Sequence, residues 1–274
     1  SFRISSGHSR HWLEREGVDV EAPAVSALLD LAERVRSASK RLNEDAENGE
    51  QTGSGLWPDV IVLKQAIAEA GAIDRPLDQD VSDALAVGLG TCLVNDLVPT
   101  PDRTPALTDL IQLSKHAYSP PIAEDGERLF AECPAWGSPS PRIEAARKIA
   151  LLACRAEYWP LVRDSYETLL HTDWDPAVRF QLVPALPHIH RIDATAMWTI
   201  VEKVLASEGN GAVLKELVVA LSLLPVEDQS RVEALILPLV AVEMPEQGDD
   251  TLTGLLMFFA IDRNMAPSRA MLSG

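Results

Sequence analysis

Two histidines separated by one residue, His188-Ile-His190, are the first place to look for a metal. On a helix, positions i and i+2 point about 200° apart, so these rings do not converge on one ion as an i, i+4 pair would. The pair reads instead as part of a hairpin turn. Asp173-Trp-Asp175 brings two carboxylates together, but Asp175 stands directly before Pro176. That order is an N-cap with proline at N1, preceded by a packing tryptophan. Glu124-Asp125 and Asp249-Asp250 precede helices and suit their positive ends. Cys92, Cys133 and Cys154 have no knuckle spacing. Each reads as a small buried apolar residue, in keeping with a reducing compartment. The stretch Ala86-Val-Gly-Leu-Gly-Thr91 lacks a third glycine and a preceding strand, so it is a poor dinucleotide loop. The chain also lacks a phosphate loop with Gly-Lys-Ser/Thr, a Gly-x-Ser-x-Gly elbow and a His-Glu-x-x-His pair. No catalytic, cofactor-binding or metal-ligating residue is therefore expected, and the chain is not expected to be an enzyme.

The composition says what kind of protein carries these residues. Apolar residues make up 46% of 274, enough for a sizeable core, while only 5% are aromatic. Alanine and leucine dominate the apolar set, which favours close helix packing over sheets. With 41 acidic and 24 basic side chains the net charge is −17. A phosphate backbone would be repelled and no basic stripe offsets this, so no nucleic-acid partner is expected. Residues 51–100 and 201–250 hold most of the excess. It reads first as ordinary solubility, with a steering surface for a basic partner as the alternative. No apolar run reaches the roughly 18 residues of a membrane span, and no signal peptide is visible. Cytoplasmic is the default expectation.

Self-similarity appears in the second half. The stretches beginning at Pro141, Pro176 and Gly211 align without gaps at offsets of 35 residues. In the first helix of each unit the apolar columns are Ile143/Val178/Val213, Ala150/Ala185/Ala220, Leu151/Leu186/Leu221 and Cys154/Ile189/Leu224. A further column, Arg147/Leu182/Leu217, is apolar in two units. The second helix gives Val162/Met197/Val232, Tyr166/Val201/Ile236, Leu169/Val204/Leu239 and Leu170/Leu205/Val240. Both sets fall on one helical face. The frame continues into Leu252, Leu255, Leu256 and Phe259, with a second helix near Pro267 to Leu272. The expected fold is all-α: an α-solenoid of antiparallel helix pairs with repeats of about 35 residues and an irregular N-terminal half. The units are 138–173, 174–209, 210–245 and a partial 246–274. The irregular half, 1–137, is expected to share one continuous solenoid with them. From an unpartnered stripe at the end, and Ser1 in place of Met, a piece of a longer protein is expected, with removal of an initiator Met and a short capping helix as the alternative.

Boundary residues agree with this frame. Pro160 opens a second helix, Pro184 should kink a first helix with Pro187 ending or further bending it, and Pro238 should disturb another. In the N-terminal half, helices are expected over 21–47, 58–70, 78–98, 105–118 and near 123–132. A flexible loop is expected from Asn48 to Gly55, and turns at Pro120-Pro121 and Ser138-Pro-Ser-Pro141.

Asp175-Pro-Ala-Val-Arg179 followed by Ala185-Leu186 resembles the opening of a HEAT repeat, and Arg142-Ile-Glu-Ala-Ala-Arg-Lys-Ile-Ala-Leu is similar. The resemblance covers roughly 138–260 and specifies architecture rather than activity. It implies that Asp175 and Arg179 act structurally, in a polar ladder at the repeat junctions. Ser140 and Asn210 stand in place of the Asp, and Glu144 and Leu214 in place of the Arg, so a continuous ladder is not expected. In such arrays the second helices line the concave face, which makes Arg163, Glu167, Trp198, Glu202 and Glu233 the candidates for partner contact. The function expected is a protein-binding scaffold or regulatory module. An acidic inhibitor or immunity-type protein holding a basic target is the alternative. An enzyme on a HEAT-like array is a third class, whose DNA glycosylase version is disfavoured by charge. A helical lyase, or a chaperone handling a cofactor-bearing protein, is also conceivable, though no residue selects either. Trp57, Trp136 and Trp174 lie near expected loops and read as packing residues rather than binding hot spots.

Overall fold

The computed structural model describes residues 6–47, 55–117, 125–225, 228–241 and 246–273. Every regular element among them is helical, with no strand. The loop expected at 48–55 (apart from Gly55), the Pro120-Pro121 turn, Glu124 and the side chain of Asp249 lie outside the described residues. None of the described helices is long and apolar enough to cross a membrane.

The chain divides into two compact units, one of residues 1–120 with 137–149 and one of residues 121–136 with 150–274. The division interleaves: 137–149 packs with the first unit and 121–136 with the second.

In the first unit, α1 (Ser6–Arg15), α2 (Pro23–Glu47), α3 (Leu56–Ala70) and α5 (Arg103–Leu113) all pack against α4 (Arg75–Val94). A helix that is apolar on most sides belongs in a core. From Val81 to Leu93 almost every residue of α4 is buried. α1 is a helix the periodicity does not signal, because only Leu13 of its apolar residues is fully covered. Polar contacts hold it instead: Ser9 donates to the Asp80 carboxylate and Arg10 to Asp30 at 2.7 Å.

The two glycines of α4 are packing devices. A Cβ on Gly88 would sit 2.5 Å from Val35 Cγ1 on α2 and 2.7 Å from Val60 Cγ2 on α3. A Cβ on Gly90 would meet the Lys148 stem, with Lys148 Cβ at 2.5 Å. Lys148 itself is buried and donates to Thr91 Oγ1 at 2.9 Å.

In the second unit, α8 (Trp159–Thr172) packs on α9 (Pro176–Leu182), and α11 (Ala194–Ser207) packs on α8. α12 (Gly211–Ser222) packs on α9 and on α14 (Glu246–Met257). α10 (Leu186–Ile192) precedes α11, α13 (Gln229–Ile236) follows α12, and α15 (Ala266–Ser273) closes the series. The short α6 (Gly126–Glu132) contacts α9 and α12 although it precedes them by more than forty residues. α7 (Pro141–Ala153) begins in the first unit.

Proline acts where expected, with one difference. Pro184 lies in a 3-10 turn, Val183–Ala185, that breaks the first helix, and Pro238 lies in another, Leu237–Ala241. Pro187 does not end the helix: it falls in the first turn of α10, where its missing N–H has no partner to lose. The helix therefore runs on to Ile192, and His188-Ile-His190 is helical rather than a hairpin turn. At the break, the buried Tyr166 hydroxyl donates to the Leu182 carbonyl at 2.7 Å.

The apolar columns are buried at nearly all positions, including Leu252, Leu255, Leu256 and Phe259. Leu151, at 44% exposure, and Val240 are exposed, and Cys154 and Leu205 are half-buried. These exceptions lie at the edges of the stripes. Of the cysteines only Cys92 is buried; Cys133 follows the exposed end of α6 and corrects the expectation of three buried thiols.

Alanine is the better helix former by about 1 kcal/mol, yet stiff β-branched side chains on two packed helices leave no room at Gly88. Gly88→Ala should lower the unfolding free energy by about 1–3 kcal/mol in denaturant titration, whereas an unchanged or raised value would show that α2 and α3 can yield.

Candidate functional site

Two polar constellations stand out from the apolar framework, one in each unit.

In the first unit, two buried carboxylates face one guanidinium. Arg36 donates from Nη1 to Asp80 Oδ2 at 3.2 Å and from Nη2 to Asp80 Oδ1 at 3.0 Å and the Asp80 carbonyl at 2.5 Å. Its contact with Asp83 Oδ2 is longer, 3.4 Å. Asp83 Oδ1 accepts the backbone N–H of Ser140 at 2.8 Å, fixing the start of α7. Burial pushes the Asp83 carboxyl up to about 6, against the pull of Arg36. Glu144 and Asp80 add to the rise and the Ser140 N–H opposes it. The network binds α1, α2, α4 and the 137–149 segment together, which is a structural role.

The second constellation is a groove of about 250 Å³ where the ends of α8 and α11 meet α9 and α6. Asp175 Oδ1 accepts the Ala177 N–H at 2.9 Å, the N-cap expected from the sequence. Asn210 Oδ1 does the same for Ala212 at 3.1 Å. Two residues before each cap an acid supports the turn: Asp173 Oδ1 accepts the Asp175 N–H at 3.0 Å, and Glu208 Oε1 the Asn210 N–H at 2.8 Å. Positions 173/208, 175/210 and 177/212 are each 35 apart, so one hydrogen-bonded turn occurs twice at the same offset.

Arg179 links the two turns. Its Nε and Nη2 grip Glu208 Oε2 and Oε1 at 2.7 and 3.0 Å, and its Nη1 donates to the Asp173 carbonyl at 2.6 Å. A forked, two-bond grip on a carboxylate is the geometry that suits guanidinium best. Burial works against the Arg179 charge, but Glu208, Glu127 and Asp173 outweigh it and its pKa is raised. Glu127 of α6 stands 3.7 Å from Arg179, and the Asn210 side-chain amide donates to the Glu127 carbonyl at 3.0 Å and carboxylate at 2.7 Å. At the first unit the pattern fails. Ser140 is buried, its hydroxyl has no hydrogen-bond partner among the described residues, and its N–H goes to Asp83.

The residues expected to meet a partner are divided by the structure. Arg163 donates to Glu167 at 2.8 Å and to Asp193 at 3.4 Å; Lys203 stands 3.6 Å from Glu167; Arg231 donates to Glu202 at 2.6 Å. Together they form a chain of exposed and half-buried ion pairs along α8, α11 and α13. Trp198, at 5% exposure, is buried under the Arg231 guanidinium, 4.4 Å from its ring centre, with the His190 ring edge-on at 5.9 Å. Glu233, at 4% exposure, accepts the Ser268 N–H at 2.9 Å and hydroxyl at 2.5 Å, capping α15. These two side chains are engaged within the fold. His190 pairs with Asp228 at 3.0 Å while His188 is exposed.

Two features escaped the sequence reading. Trp174 is 47% exposed, and Trp136, also exposed, leans on Phe180 at 6.4 Å. The acid two residues before each cap, Asp173-x-Asp175 and Glu208-x-Asn210, was a signal at the same offset as the apolar columns. Ser207 and His171 also line the groove 3.1 Å apart, but both are exposed and the serine hydroxyl also faces the Lys203 carbonyl at 3.1 Å. A solvated imidazole in that setting is not an oriented base.

No family model, curated protein or solved structure matches this chain.

The raised pKa of Asp83 fixes a sign. Between about pH 4 and about pH 6 the folded chain keeps a proton that the unfolded chain releases. The carboxyl's contribution to stability is thus fully present below its unfolded pKa and is lost as pH rises through about 6. The unfolding free energy of the natural chain minus that of Asp83→Asn should fall across this window, at up to about 1.4 kcal/mol per pH unit. A flat difference from pH 4 to 7 would place the Asp83 titration elsewhere.

Proposed function

We propose that this chain is a protein-binding scaffold whose region 138–274 is a HEAT-like series of helix pairs about 35 residues long. The observation that carries the reading is the recurrence of one hydrogen-bonded turn at 173–177 and 208–212, bridged by Arg179 and Glu208. Buried side chains recur at the same spacing, and α9 packs on α12 and α12 on α14. A helix pair with a single apolar stripe needs such a neighbour, and series of them present long surfaces to other proteins. Because the series fixes its second helices by their apolar faces, the opposite faces are left to recognise a partner.

The recognition surface proposed is the ion-paired strip of α8, α11 and α13, with Arg163, Glu167 and Glu202 as contacts beside Lys203 and Arg231. Its partner is a protein, and the net charge of −17 favours a basic one. The same charge supports a narrower version, an acidic inhibitor that holds a basic target. Lying on helices rather than loops, the strip is rigid and suits a preformed surface.

Cross-linking of the full chain in extracts of its source cells, followed by purification of the captured protein, gives the test. A basic partner is expected, bound more weakly as salt rises. Glu167→Lys with Glu202→Lys should lower its affinity about tenfold or more at unchanged melting temperature. An affinity indifferent to both salt and charge reversal would overturn the reading.

A further inference from the structure

α6 is an unusual member of the second unit. It comes from the chain before α7, yet it lies across α9 and α12, and of its seven residues only Phe130 is buried. Asp125, Glu127, Arg128, Leu129 and Glu132 are all exposed. Two anchors hold it. Phe130 meets Phe180 of α9 edge to face, with ring centres 5.7 Å apart. One turn earlier, Glu127 takes two hydrogen bonds from the Asn210 amide and stands beside Arg179. An acid and an aromatic three residues apart, meeting a guanidinium, an amide and an aromatic ring, is how a groove reads a short helical peptide. A helix covered at one position contributes little burial to the fold, so its undocking is among the least costly openings available.

We propose that the α9–α12 surface is a peptide-binding groove and that α6 is its resident occupant, displaced by a partner segment carrying Glu three residues before Phe. The charges fit: the groove side supplies Arg179 and the Asn210 donor, so the incoming anchor is a carboxylate. The strip of α8, α11 and α13 remains free to contact a basic surface of the same partner. The Arg179–Glu208 grip pre-orients the groove, because it is complete without Glu127. This inference rests on the chain being a protein-binding module, but it concerns a different surface from the α8–α11–α13 strip. Failure here and failure of that reading are therefore separable.

The test uses the full chain and a fluorescent peptide of the sequence 125–132, Asp-Gly-Glu-Arg-Leu-Phe-Ala-Glu. In the natural chain the resident α6 competes, so the apparent affinity is reduced by the fraction of molecules whose groove is open. Phe130→Ala, and separately Glu127→Ala, should each tighten peptide binding about tenfold or more. Adding Phe180→Ala to either should abolish the gain, and a peptide with Phe130 replaced by Ala should not bind. Hydrogen exchange on the natural chain gives a second measurement that needs no variant. Amides 129–132 should exchange by local opening, at least about tenfold faster than the buried turns of α9 and α12. Two results would overturn the proposal: folded variants that bind the peptide no better than the natural chain, or α6 amides as protected as those of α12. A concentration-dependent dimer in Phe130→Ala, with no gain in peptide binding, would show that the occupant is a second copy and would overturn it too.

Discussion

A guanidinium can be covered by protein only if its donors meet fixed acceptors, and Arg179 is where the second unit satisfies that demand. Three of its N–H groups donate to the Glu208 carboxylate and the Asp173 carbonyl, with Glu127 near by. Glu208 is itself covered, so neither charge could be left without the other at small cost. The pair draws the C-terminal ends of α8 and α11 together at one point, and those ends define where the next first helix begins. The caps at Asp175 and Asn210 then set the direction of α9 and α12, whose apolar faces meet. Junction chemistry and stripe burial thus specify the same arrangement, the agreement between levels that lets a sequence choose one structure.

The first unit solves a different problem. α4 is apolar on most of its surface, so it is covered by α1, α2, α3 and α5 rather than by one neighbour. Small residues let two helices approach, the carboxylates it buries are met by Arg36, and the buried Lys148 ammonium donates to the Thr91 hydroxyl. Asp83 is the least well matched of these, because Asp80 takes the shorter bonds from Arg36.

Helix class and most helix positions were legible because a 3.6-residue stripe is a strong signal and the proline and Asx caps punctuate it. α1 was not, since its attachment is through Ser9 and Arg10 rather than a stripe. The helical course through His188 and His190 was missed because a proline in the first turn of a helix looks, in sequence, like one that stops it. Trp198 and Glu233 stand beside the core stripe on their helices, and spacing alone could not tell a flank that faces solvent from one that another element covers. Arg231 covers the first, and α15 the second, from far along the chain. Likewise α6 was legible as a helix, while its seat on α9 and α12 depends on Phe130 and Glu127 finding partners more than forty residues away.

A double-mutant cycle on Arg179 and Glu208 addresses the junction most directly. Unfolding free energies of the natural chain, Arg179→Met, Glu208→Gln and the double variant should give a coupling energy of about 2 kcal/mol, each single change leaving a covered charge without its partner. Additivity within about 0.5 kcal/mol would mean that the two turns are not joined through this pair, and the account of the second unit would fail.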